Sequence, residues 1–261
     1  MNLALPPESD RIVVEWPGRP EDTAAAAARM VRTIENFGRC DPRLDRWREI
    51  GLTQREASVP FSTLPPQLGP MVRRFEAARC RDAKGHPLAA PVFLIQLRNT
   101  AFGSPLELSA SVGNPSGPRA AFANRIDLVV PRSTDGSSDA TSLLKPALLA
   151  LIDAWAPVVG RIDPPGLARL RTGRPQPRVE AGWITYLAPT LAGLVSLPSD
   201  ATIEPLAGGG RLFGVGNRPF DSADQAALAV WRGIQGSLAA LDEIPWPPGD
   251  AATIPNPESD R

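Results

Sequence analysis

The spacing of apolar residues along the chain predicts an alternation of strands and helices. Residues 11–16 carry a β-branched centre, which is typical of a strand, and a Pro-Gly turn ends it. Between residues 24 and 37 apolar side chains recur at helical spacing, with Asp22 or Thr23 as the cap and Gly38 as a natural end. The chain is therefore expected to open with a strand that leads into a helix.

Two further helices are predicted before the pattern changes to that of strands. Asp41 before Pro42 resembles an N-cap and a first helical position, and the short helix they open is expected to end at Gly51. Residues 64–79 predict a longer helix with Leu68 among the residues of its buried face.

The middle of the chain is rich in strand-forming residues. Loops with Gly, Pro, Asn and Ser separate three candidate strands, as in an antiparallel meander. Leu94 and Ile95 lie on opposite faces of the first strand, which is therefore expected to be well buried. The strands are predicted over residues 91–99, 106–113 and 125–131, and a helix over 141–158 follows them.

Residues 182–187 are expected to organise the C-terminal half of the molecule. Both alternating faces of this stretch are largely apolar, and it contains Trp183 and Tyr186, the only tyrosine of the chain. A strand that is apolar on both faces belongs inside a sheet that is covered on both sides. Residue type alone favours packing over binding for these aromatic side chains.

A hairpin and a helix are predicted to follow this strand. Residues 201–206 and 211–216 form two strand candidates, and three consecutive glycines at 208–210 provide the turn between them. Ser222 and Gln225 resemble a capping box that opens a final helix extending to residue 242.

The order of these elements predicts an α+β fold. Runs of strands, each followed by a helix, favour two packed lobes of antiparallel sheet covered by helices. We expect one globular unit over residues 1–242, with lobes of about 1–157 and 158–242, and a Pro-rich polar tail over 243–261. The Arg-Pro-rich stretch 163–178 is expected to be a long exposed loop.

Composition narrows the classes of function. The chain has 261 residues, and its 28 Lys and Arg residues balance 28 Asp and Glu residues, so no overall field attracts nucleic acid. No apolar run is long enough to span a membrane, and the first ten residues lack the pattern of a signal peptide. Two cysteines form neither a disulfide framework nor a metal site, so a cytoplasmic protein is expected.

The chain is poor in the side chains that catalysis requires. His86 is the only histidine, which argues against a histidine zinc site, and the glycines of 208–216 precede no phosphate-loop Lys-Ser/Thr. We therefore expect no cofactor, no metal and no enzymatic activity. A binding protein is favoured, and two alternatives stay open: a structural or adaptor subunit, and a hydrolase that works with paired carboxylates.

Two segments carry a resemblance to a known family. The sequence is similar to the bacterial immunity protein 52 family in the segment EWPGRPE of residues 15–21, the alanine-rich helix and the turn TQREA of 53–57. The second segment holds residues 182–187, the glycine hairpin and the final helix. The signature residues of this match are Trp47, Gly182, Trp183 and Tyr186.

The resemblance implies a cytoplasmic immunity protein of a polymorphic toxin system, of the kind linked to type VI secretion. Such a protein binds a cognate antibacterial effector, commonly a toxin of restriction-endonuclease fold, and has no catalytic residues of its own. We expect inhibition by occlusion of the active site of the toxin. Loop or near-loop residues are the predicted partner contacts: Trp16, Arg19, Asp135, Asp139, Arg171 and Arg174. Under the alternative hypothesis of an adaptor, the protein would be a subunit of the secretion apparatus.

Overall fold

The strands of the computed structural model form a nine-stranded antiparallel sheet with helices packed against it. The structure describes residues 9–49, 67–81, 84–86, 92–101, 105–114, 123–132, 141–167, 170, 178–220 and 223–244. The α+β class is confirmed, but the buried strand at residues 159–163 was not predicted, and it includes the first residue of the stretch expected to be an exposed loop.

The sheet has the strand order β2-β3-β4-β5-β1-β6-β7-β9-β8. The predicted meander is confirmed, because β3, β4 and β5 are neighbours in both sequence and space. The strands are β1 (Ser9–Trp16), β2 (Arg48–Glu49), β3 (Phe93–Asn99), β4 (Leu106–Val112), β5 (Asn124–Pro131), β6 (Val159–Asp163), β7 (Ile184–Leu187), β8 (Thr202–Pro205) and β9 (Arg211–Gly214).

Five α-helices connect or cover these strands in the described part of the chain. They are α1 (Thr23–Cys40), α2 (Leu68–Ala77), α3 (Thr141–Trp155), α4 (Pro189–Ala192) and α5 (Gln225–Leu238). Asp22 caps α1 as predicted, since its carboxylate accepts a hydrogen bond from the Ala25 N–H at 2.7 Å. Short 3₁₀ helices occupy Pro42–Asp45 and Ala239–Glu243.

The core lies between the centre of the sheet and the pair α1 and α3. Ile12, Val14 and Trp16 alternate along β1 and are all buried there. The Trp16 ring stacks on Trp155 of α3 with the ring centroids 5.5 Å apart. The indole N–H of Trp155 donates to Thr33 Oγ1 of α1 at 2.7 Å, so this buried donor is satisfied.

The strand predicted over residues 182–187 starts two residues later, at Ile184, and lies between β6 and β9. Helix α5 is fixed to the chain just before it. Trp231 Nε1 donates to the carbonyl of Ala181 at 3.0 Å, and Gln235 bonds the backbone of Val179 and Ala181. The C-terminal helix therefore packs against the residues that lead into β7.

Some details of the prediction are wrong in the N-terminal half. Helix α1 continues past Gly38 to Cys40, and the short helix after Asp41 ends at Asp45. The chain then forms β2 along β3, because a two-residue strand is set by its partner rather than by its own sequence. The first strand of the meander is buried on one face only, since Leu94 is 48% exposed.

Two further corrections concern the later helices. Helix α2 starts at Leu68, which is 48% exposed instead of buried. The cap of α5 is Asp224, whose carboxylate accepts from the Ala227 N–H at 2.9 Å, and not the predicted Ser222. Ser222 itself lies outside the described residues, as does the turn TQREA of 53–57.

The division into two lobes at residue 157 stays a prediction. Strand β6 of the second stretch pairs with β1 of the first over Arg11–Glu15 and Val159–Asp163, so the strands of both stretches belong to one sheet. The predicted tail over 243–261 lies outside the described residues from position 245 onward.

Replacing Gly214 with alanine tests how closely β9 packs on the residues before β7. A Cβ atom there would lie 2.3 Å from the carbonyl oxygen of Trp183, so the strand must shift. We expect a loss of about 3 kcal/mol in the free energy of unfolding, measured by urea denaturation. Gly236→Ala in α5 is the control, since its Cβ meets no atom within 4 Å. A gain of about 0.5–1 kcal/mol is expected there, and equal effects at both sites would contradict this packing.

Candidate functional site

Charged side chains cluster on the face of the sheet opposite α3. A Cβ atom at Gly160 would meet Leu148 of α3 at 3.0 Å and Val14 at 3.3 Å, so α3 covers the face to which Val14 points. Successive residues of a strand point to opposite faces. Glu15 and Arg161, which follow Val14 and Gly160, therefore point away from α3.

Glu15 and Arg161 form the centre of this cluster. Arg161 Nη1 donates to Glu15 Oε2 at 2.7 Å, and the two residues are only 5% and 8% exposed. Arg125 Nη1 donates to the other carboxylate oxygen, Glu15 Oε1, also at 2.7 Å. One carboxylate of β1 thus joins a guanidinium of β5 to a guanidinium of β6 through charge-assisted hydrogen bonds.

Two more carboxylates complete the pairing of Arg161. Its Nε donates to Asp163 Oδ2 at 3.1 Å, and its Nη2 lies 3.0 Å from Glu180 Oε2. Burial by itself lowers the pKa of Arg161, but the charges of Asp163, Glu15 and Glu180 outweigh it and raise that pKa above its ordinary value. The guanidinium is therefore held permanently charged.

Asp127 pairs with the arginines at the open side of the cluster. Its Oδ2 accepts from Arg125 Nε at 2.7 Å, and its Oδ1 accepts from Arg11 Nε at 2.6 Å. Burial raises the pKa of Asp127, but Arg125 and then Arg11 outweigh this and hold it below its ordinary value. We call the whole set the ion-pair network: Arg11, Glu15, Arg125, Asp127, Arg161, Asp163 and Glu180.

Asp127 of the ion-pair network is unsuited to act as a general acid. A carboxylate-dependent hydrolase requires a carboxyl group whose pKa is raised, whereas that of Asp127 is lowered. Within the described residues, no three His, Cys, Asp or Glu side chains converge as a metal site requires. The arrangement pairs the buried Glu15 carboxylate with two arginines and so joins β5, β1 and β6.

A cleft of about 920 Å³ opens towards the end of the sheet that β8 forms. It lies between the start of α3 and the strands β8 and β9, and apolar residues line much of it: Pro146, Trp183, Ile184, Ile203, Leu212 and Phe213. Two ion pairs flank it. Arg132 makes two hydrogen bonds to the Asp10 carboxylate at 3.0 and 2.9 Å, and Lys145 contacts Glu204. Arg218 also lines this cleft.

Two of the predicted partner contacts lie together beside the core. Trp16 is 1% exposed and packs on Trp155, so it is a core residue in this structure. Arg19 lies over the Trp16 ring at 5.3 Å, donates to the carbonyl of Trp155 at 3.0 Å and pairs with Glu21 at 2.6 Å. Contact of either residue with a partner stays a prediction.

The other four predicted contacts are not placed by the structure. Asp135, Asp139, Arg171 and Arg174 lie outside the described residues. Their role in partner binding also stays a prediction.

Across the described residues, no helix is long and apolar enough to cross a lipid bilayer.

The signature residues are all buried. Trp47 is 1% exposed, and its indole N–H donates to the Leu44 carbonyl at 2.7 Å. A Cβ atom at Gly182 would lie 2.5 Å from the carbonyl oxygen of Ile162, which explains why glycine stands there. The indole N–H of Trp183 donates to the Val215 carbonyl at 3.1 Å, and Tyr186 is 6% exposed. These residues are therefore part of the core.

Sequence reasoning missed the ion-pair network, although the chain holds a signal for it. The tripeptide Arg-Ile-Asp occurs at residues 125–127 and again at 161–163. In a strand, the Arg and the Asp of such a tripeptide share one face while the Ile points to the other. The two copies flank β1 on either side, where Glu15 completes the pairing.

Arg161→Met tests the energetic importance of the network. The substitution leaves three carboxylates facing one another without their shared cation, so a loss of about 3–5 kcal/mol in unfolding free energy is expected. Arg32→Met is the matched control, because Arg32 and Asp153 form a pair in which both side chains are 51% exposed. That change is expected to cost about 0–1 kcal/mol. Equal losses in urea denaturation would contradict a structural role for the network.

Asp127→Asn tests the lowered pKa through the pH dependence of stability. Because the folded pKa is lowered, the stabilisation by the Asp127 carboxylate is fully present above the unfolded pKa of about 4. It is lost as the pH falls through the lower folded value. The wild type is expected to exceed the variant in unfolding free energy at pH 7, and this difference is expected to shrink in acid. A difference that stays constant from pH 7 to pH 2.5 would contradict the assignment.

The comparisons with known proteins agree with this fold. The model of the family described as Immunity protein 52 matches residues 12–242. The chain is also similar to the solved structure of the Pseudomonas aeruginosa T6SS protein PA0821, with a TM-score of 0.52 and 12% identity over 87% of this chain and 77% of that one. That likeness concerns the fold alone, and no curated protein sequence matches. The family match spans the chain from β1 through α5, and the chain belongs to the Immunity protein 52 family.

Proposed function

We propose that this chain is a cytoplasmic immunity protein that binds a cognate antibacterial effector and neutralises it without chemistry. The observation that carries the proposal is the family match over residues 12–242. The ion-pair network supports it, because the carboxylates of the sheet face are paired with arginines instead of being available for proton transfer.

Neutralisation by binding requires a rigid surface and a tight complex. The sheet provides the rigidity, since the buried pairs of Arg161 and the packing of Trp16 on Trp155 fix its central strands. A specific interface of about 1,600 Å² with a few buried anchors supplies enough affinity for stoichiometric inhibition. We therefore propose that the protein occludes the active site or the substrate groove of the effector.

The proposed effector is a nuclease of restriction-endonuclease fold, as the family resemblance implies. Acidic residues such as Asp135 and Asp139 would occupy positions that such an enzyme uses for phosphates. Arg19, Arg171 and Arg174 are the proposed cationic contacts. Because the net charge of the chain is zero, these contacts act locally and not through a mimic of the whole DNA surface.

Co-expression with the toxin encoded beside its gene tests the proposal. We expect the two proteins to co-purify through size-exclusion chromatography, and cells that make both to grow and keep intact DNA. The control is a different immunity protein in the same cells, which is expected to leave the toxin active because cognate pairing is specific.

Two results would contradict the proposal. Full toxin activity in the presence of a saturating amount of this protein would exclude inhibition. Co-purification with secretion-apparatus components, together with an unprotected cell, would favour the adaptor alternative instead. Protection of growth without intact DNA would retain the immunity role and remove the nuclease assignment.

A further inference from the structure

Strand β8 has an accessible edge. It is the last strand of the sheet, and within the described residues it pairs with β9 alone. All four of its residues are exposed, and Ile203 is 53% exposed, the largest value among the exposed large apolar side chains of the described chain. An apolar side chain on an unpaired strand is a common feature of surfaces that receive another chain.

The register of the hairpin shows which backbone groups point outward. The Leu206 N–H donates to the Gly210 carbonyl at 2.8 Å, so these two residues form a hydrogen-bonded pair. Such pairs alternate along an antiparallel ladder. Ile203 and Phe213 therefore form a pair without backbone hydrogen bonds between them. The N–H and C=O of Ile203 point to the free edge instead. Pro205 has no N–H and ends any further pairing.

The cleft lies directly beside this edge. Thr202, Ile203 and Glu204 of β8 line it, and Leu212 and Phe213 of β9 form part of its apolar lining. A volume of about 920 Å³ accommodates several side chains. A segment that pairs with Ile203 would place alternate side chains towards this cleft, because side chains alternate along an extended chain.

The charges around the cleft favour an acidic partner. Lys145 contacts Glu204, and Arg132 pairs with Asp10 at 2.9 Å, so these four charges balance. Arg218 is exposed and lines the same cleft, and among the described residues it has no ion-pair partner. The described residues that line the cleft therefore carry one positive charge in excess, which a carboxylate complements.

We propose that β8 and the cleft are the surface that binds the effector. An extended segment of the effector pairs with the backbone of Ile203, inserts an apolar side chain into the cleft and brings a carboxylate to Arg218. This inference deepens the proposed function, on which it rests, because it names the surface and the chemistry of the partner. A second copy of this chain is the rival occupant.

The test measures affinity for the effector recovered in the co-expression experiment, by isothermal titration calorimetry with the full chain. The cleft variants are Ile203→Glu and Arg218→Glu. Their matched controls are Leu94→Glu, at an exposed apolar residue of β3, and Arg73→Glu, at an exposed cation of α2. We expect each cleft variant to raise the Kd by about tenfold or more and each control to change it by less than about twofold.

The outcomes separate this inference from the proposed function. If the wild type does not bind the effector, both are overturned. If the wild type binds and the cleft variants bind equally well, or if Leu94→Glu weakens binding instead, only the docking surface is overturned.

One further measurement tests self-association, and another checks that the variants fold. A dimer in sedimentation velocity that Ile203→Glu dissociates, with effector affinity unchanged, would assign the edge to self-association and overturn the proposal. Thermal unfolding of all four variants checks their fold. Arg218→Glu, at an exposed loop residue, decides the outcome if Ile203→Glu does not fold.

Discussion

The burial of one guanidinium, that of Arg161, is the constraint on which the rest of the structure depends. An arginine side chain keeps its charge at any pH at which a protein folds, so it is buried only where carboxylates surround it. The partners of Arg161 come from three places in the chain: Glu15 of β1, Asp163 of β6, which also holds Arg161, and Glu180 before β7. Their pairing with Arg161 fixes β1 beside β6 and holds the segment before β7 against the sheet.

This constraint explains why the central strands are covered on both faces. Val14 and Gly160 pack under α3, while Glu15 and Arg161 satisfy one another on the opposite face. The backbone edges of β1 are paired within the sheet on both sides, so no partner chain can add a strand there. Recognition is therefore expected at the end of the sheet, where, among the described residues, β8 has a free edge and the cleft joins apolar walls to a cation without an ion pair.

Much of this fold follows from the sequence, and the rest fails for identifiable reasons. Periodicity locates α1, the meander and the glycine hairpin, because each repeats its pattern over several residues. The two-residue strand β2 has no such pattern and depends on β3 for its state. The exposure of Leu94 is equally hidden, since alternation does not tell which face is covered. The ion pairs join residues 116 and 146 positions apart, so only the repeated Arg-Ile-Asp tripeptide hinted at them. The cleft could not be predicted, because it depends on how α3 is arranged against β8 in space.

The central claim is that this protein acts by holding a partner and not by transforming one. Titrating a fixed amount of purified effector with increasing amounts of this protein tests it most directly. The account predicts that effector activity falls in proportion to the protein added, vanishes at a fixed molar ratio and does not depend on incubation time. Inactivation of many effector molecules by one molecule of this protein, or activity that persists at every ratio, would contradict it.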